Sequence, residues 1–82
     1  MSKYDLANEL IAFCMTYKVF GNSEIGASAG KIAEQLEESW FVEHFIYTLI
    51  TKTKDKVDVD FKKLKELLLE LEKIRLDLEY EE

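Results

Sequence analysis

The sequence has no proline, and its three glycines, Gly21, Gly26 and Gly30, lie within ten residues of one another. Strong helix breakers are therefore confined to one short stretch, and the rest of the chain is free to form long helices. Cys14 is the only cysteine, which excludes an internal disulfide and makes a reducing cytoplasm the expected compartment. His44 is the only histidine, so one chain cannot assemble a His pair or a Cys/His zinc cluster. Lysine outnumbers arginine ten to one, Arg75 standing alone. Bidentate recognition of phosphates or base edges by guanidinium groups therefore has almost no material. No run approaches the roughly 20 apolar residues that span a bilayer, and Met1 to Asp5 lacks the basic-then-apolar layout of a signal peptide. The expectation is a protein without membrane or export signals.

What is present is apolar residues at 48% and charged residues at 34%, a globular balance and not a disordered one. The net charge of −6 works against broad attraction to nucleic acid or anionic lipid, both of which require a concentrated basic surface. The length of 82 residues gives room for a single helical domain over 1–82, with a core that leaves an isolated monomer only marginally stable.

Ser2 followed by Asp5 has the spacing of a capping box, so a first helix is expected over about 3–20. Leu6, Leu10, Phe13, Cys14 and Tyr17 form its apolar stripe, widened by Ile11 and Phe20, and Gly21 is expected to end it in a left-handed conformation. Ser28 is an N-cap for a second helix over about 28–38, whose Ala29, Ile32, Ala33 and Leu36 share a face. Beyond Glu38-Ser39-Trp40 the apolar side switches to Phe41, Val42, Phe45, Ile46 and Leu49. Two structures fit that switch: a tight turn with Ser39 capping a third helix over about 40–52, or one continuous helix buried all round in its second half. Thr51 to Val59 reads as a polar loop. Asp58 or Asp60 then caps a last helix over about 60–79, with Phe61, Leu64, Leu67, Leu68, Leu71, Ile74 and Leu78 on one face. The fold class is all-α, a small three- or four-helix bundle, with homodimerisation expected.

Motifs that carry chemistry are incomplete. Gly26 to Lys31 resembles a phosphate-binding P-loop, but only three residues separate its glycines and Ile32 stands where a magnesium-binding hydroxyl is needed. The segment reads instead as small residues that let a helix end approach its neighbour. His44, among Trp40, Phe41, Phe45 and Ile46, reads as a packed, hydrogen-bonded residue. Cys14 reads as a buried, inert thiol. The run Ile32-Ala33-Glu34-Gln35-Leu36, followed by a turn and Phe41 to Leu49, resembles the start of a helix-turn-helix, which implies DNA binding through the second helix. That helix carries Glu43 and His44 and no lysine or arginine before Lys52, so phosphate would repel it.

No catalytic residue, cofactor site or metal site is expected. The function expected is that of a non-enzymatic regulatory or protein–protein interaction protein that self-associates as a homodimer and binds a further protein. The interface candidates are Trp40, Phe41, Phe45, Leu64, Leu67, Leu71, Ile74 and Leu78. Leu64, Leu71 and Leu78 recur at seven-residue intervals, with Leu67 and Ile74 between them, as in a short coiled-coil seam. The same stripe could equally wall an intramolecular bundle. Two alternatives are an acidic inhibitor of a nucleic-acid-handling protein and a degenerate helix-turn-helix DNA-binding protein with its lysines grouped by dimerisation.

Overall fold

Three of the predicted caps form. Asp5 donates its backbone N–H to Ser2 Oγ at 3.1 Å, Lys31 to Ser28 Oγ at 3.4 Å, and Lys63 to Asp60 Oδ1 at 3.1 Å. Each bond satisfies one of the amide donors that a helix start leaves without a partner. A computed structural model describes residues 2–19 and 28–80. Among these residues lie α1 (Lys3–Tyr17), α2 (Ala29–Gln35), α3 (Ser39–Thr53) and α4 (Phe61–Tyr80), with no strand. The protein is an all-α helical bundle. Its radius of gyration, 12.1 Å, is close to the roughly 12 Å of a compact chain this long.

The first helix ends earlier than the stripe predicts. Lys18 takes a left-handed conformation, φ 54° and ψ 42°, and both its N–H and that of Val19 turn back to the Cys14 carbonyl. The reversal buries Val19. Gly21, the residue expected in this role, and the rest of the predicted 21–27 linker lie outside the described residues.

Between α2 and α3 the chain turns. Glu37 and Glu38 donate to the carbonyls of Glu34 and Gln35 at 3.1 and 3.0 Å, tightening the end of α2 into three-residue steps. Glu38 is then extended, φ −102° and ψ 119°, and its carbonyl accepts from Phe41 and Val42. The cap position thus belongs to Glu38, and Ser39 is the first helical residue, not the cap. No side-chain bond supports this start. The turn exists because Leu36 and Val42 are both fully buried. Six residues apart on one straight helix, they would point about 120° apart at 100° per residue.

The helices associate as two hairpins, α1 with α2 and α3 with α4, with α1 also lying against α4. Leu6, Leu10 and Phe13 of α1, Ile32 of α2, Val42, Phe45 and Leu49 of α3, and Leu64, Leu67 and Leu71 of α4 supply most of one continuous core. Polar contacts fix the register between α1 and its neighbours. Lys63 Nζ meets Glu9 at 2.8 Å, Lys3 Nζ meets Glu37 at 2.8 Å, and the Tyr17 hydroxyl accepts from the Asp60 N–H at 3.1 Å. The predicted loop begins later than expected, because α3 continues to Thr53. The buried Thr53 hydroxyl donates to the Leu49 carbonyl at 2.6 Å and so needs no partner outside its own helix.

Candidate interaction surface

The interface candidates divide sharply by position. Phe45, Leu64, Leu67 and Leu71 are buried in the chain's own core, so they are spent on intramolecular packing and are not open to a partner. Phe41, Ile74 and Leu78 lie half-buried at its margin. Only Trp40 stands out in solvent, 62% exposed, with its ring edge-to-face against Phe41 at 5.8 Å. For the four buried residues the intramolecular reading of the stripe is the one that applies.

A different apolar set is exposed on the outer side of the α3–α4 hairpin. Tyr47 is 69% exposed, Ile50 50% and Leu69 53%, with Leu76 also exposed. A shallow groove of about 320 Å³ runs between the helices here, lined by Glu43, Ile46, Tyr47 and Ile50 of α3 and by Glu72 and Arg75 of α4.

Arg75 organises the polar side of this groove. Its Nε donates to Glu72 Oε2 at 3.1 Å, its Nη2 to Glu72 Oε1 at 2.5 Å and its Nη1 to Glu79 Oε1 at 2.6 Å. The paired bonds to Glu72 are the planar fork-to-carboxylate geometry that only arginine offers. These bonds, and after them the charges of Glu72, Glu79 and Glu43, raise the guanidinium above its ordinary value against an opposing desolvation effect. Conversely, hydrogen bonding from Arg75 lowers the Glu72 carboxyl. That pairing is present above the ordinary carboxylate range and is lost as pH falls through the lowered value of Glu72. Both groups are solvated, so the pair mainly holds Arg75 flat along the groove wall.

The residues singled out for chemistry fall elsewhere. Cys14 is buried, and desolvation pushes its thiol up to about 12, which suppresses the reactive thiolate. His44 is exposed, contrary to the packed position expected of it. Val42, Phe45 and Leu49 set the inward side of α3, and His44, one residue before Phe45, is turned away by about 100°. Among the described residues no group of three or more His, Cys, Asp and Glu side chains could hold a metal ion, and no helix is long and apolar enough to cross a membrane. Gly30 does not provide a close helix approach: a Cβ there would meet only Ser28 Oγ, at 3.9 Å. Gly26 and Ala27 lie outside the described residues.

The exposed set left a trace in the sequence. Leu67-Leu68-Leu69 is an apolar triplet that sweeps about 200° around a helix, so it exceeds any single stripe and one leucine must leave the core. Leu76 repeats Leu69 at seven residues, on the same outward side. No protein-family model, curated protein or solved structure matches the chain.

Proposed function

We propose that this chain is a non-enzymatic helical interaction protein that works by self-association through the outer side of its α3–α4 hairpin. The observation that carries this reading is the exposure of Tyr47, Ile50, Leu69 and Leu76 beside a core that is already complete. Four large apolar side chains exposed on two adjacent helices are costly to keep hydrated, and exposed apolar surface on this scale commonly marks a protein-binding surface. A second copy of the chain removes that surface from water without any change inside the bundle. The acidic inhibitor reading has no comparable geometric support. The helix-turn-helix reading is opposed by the outward residues of α3 near the turn, Trp40, Glu43, His44 and Tyr47, which offer no lysine or arginine to a phosphate.

Sedimentation velocity over a concentration series tests the proposal. The expected result is a species heavier than 9.6 kDa that grows with concentration through the tens of micromolar. A sedimentation coefficient that stays at the monomer value up to about 0.5 mM, too weak for a specific interface, would sink it.

A further inference from the structure

The solvent side of α3 carries one straight line of residues, Glu43, Tyr47, Ile50 and Lys54, at spacings of four, three and four. All four are exposed. The spacing keeps them within a narrow angular band, because 11 residues complete just over three full turns. The order along the line is acid, two apolar groups, base. It is symmetric about a point midway between Tyr47 and Ile50. Reversing the line therefore sets Glu43 against Lys54, Tyr47 against Ile50, and Lys54 against Glu43.

We infer that the occupant of this face is a second copy of the chain, related by a two-fold axis that crosses α3 between Tyr47 and Ile50, so that the two α3 helices run antiparallel. This deepens the proposed function and rests on it, adding the surface, the symmetry and the pairing. An isologous interface requires that each patch complement itself under the two-fold. The α3 line meets that requirement in charge and in setting apolar groups against apolar groups. A parallel pairing would place Glu43 on Glu43 and Lys54 on Lys54, which like-charge repulsion disfavours.

On α4, Leu69 and Leu76 add exposed apolar side chains to the same hairpin. The groove lined by Ile46, Tyr47, Ile50 and Arg75 lies between α3 and α4. Its apolar lining borders the Tyr47–Ile50 pairing. Arg75 is already held by Glu72 and Glu79, so it brings no unpaired cation under the partner.

Charge reversal across the two-fold tests the inference. Lys54→Glu and Glu43→Lys are made separately, and sedimentation equilibrium is run on each, on an equimolar mixture, and on the double variant Glu43→Lys/Lys54→Glu. Both positions are exposed, and circular dichroism verifies that each variant keeps its helices. Each single variant is expected to weaken self-association by about tenfold or more, since two like-charge contacts replace two attractive ones. The mixture is expected to recover wild-type affinity as a heterodimer, and the double variant as a homodimer. If wild type associates and the single variants associate equally well, or if neither the mixture nor the double variant recovers, this pairing is overturned while self-association stands. If wild type does not associate at all, the proposed function falls with it.

Discussion

Leu71 and Leu69 sit two residues apart on α4, identical in chemistry, yet Leu71 is fully buried and Leu69 is 53% exposed. Replacing each with alanine separates core from surface on one helix with helix propensity held constant. Leu71→Ala removes a side chain enclosed by the core, losing both transfer free energy and packing around the cavity left behind, which together cost about 2–5 kcal/mol. A chain of 82 residues has about 4–12 kcal/mol of stability in total, so this one change removes a large fraction of it. With a urea dependence of about 1 kcal/mol per molar for a domain this small, the unfolding midpoint falls by about 2 M or more. Leu69→Ala exchanges exposed surface for exposed surface and changes stability by less than about 0.5 kcal/mol. The assay is urea unfolding followed by far-ultraviolet circular dichroism, at concentrations low enough that association adds nothing to the midpoint. Equal shifts for the two variants would refute the assignment of Leu71 to the core and Leu69 to the surface. A larger shift for Leu69 would invert the inner and outer sides of α4.

Two further outcomes follow from individual residues. The Cys14 thiol, raised by burial from 9.0 to about 12, stays protonated in the folded chain where the unfolded chain ionises. Stability is therefore unaffected below pH 9 and falls from pH 9 toward 12, by at most about 1.4 kcal/mol per pH unit. Comparison of alkaline unfolding with Cys14→Ala, which lacks that contribution, isolates it, and equal slopes for the two proteins would reject the burial argument. Gly30 has room for a Cβ inside α2, so Gly30→Ala is expected to raise stability by about 0.5–1 kcal/mol through helix propensity and a less flexible unfolded chain. A destabilised Gly30→Ala in thermal unfolding would mean that α2 packs more tightly than its surroundings indicate.

The features legible in the sequence are those decided by neighbours in the chain. Ser2, Ser28 and Asp60 cap helices because a side-chain oxygen reaches an amide three residues away, a relation that spacing alone expresses. The switch of apolar face before Ser39 leaves a tight turn and a continuous helix both open in the sequence. Glu38 offers no side-chain cap, and what decides between turn and continuous helix is the burial of both Leu36 and Val42, a tertiary requirement. The left-handed Lys18 had no local signal, since a lysine pays in strain for a conformation that glycine adopts freely. The interface candidates drawn from the longest apolar stripe were mostly core for a related reason. A stripe contiguous enough to be conspicuous is also the one best suited to its own bundle, and a partner is left with whatever apolar residues lie off it.

That displacement gives Tyr47, Ile50, Leu69 and Leu76 their weight relative to other exposed apolar groups. Met15 and Val57 are exposed too, at 63% and 94%, but singly scattered apolar side chains are ordinary on protein surfaces and call for no partner. The α3 set differs by being ordered with charge. Glu43 and Lys54 bracket Tyr47 and Ile50 at helical spacing, so the line has an acidic end, an apolar middle and a basic end. The inner side of the same helix holds Val42, Phe45 and Leu49. Helix α3 thus carries two apolar faces with different designs. The inner face is uncharged, as suits permanent burial where an unpaired ion would be prohibitive. The outer face is closed at each end by a charge that remains solvated in the free chain, and an antiparallel partner sets Glu43 against Lys54 at both ends. Such a surface tolerates exposure before association and selects the orientation of what covers it, which the continuous leucine stripe of α4 has no charges to do.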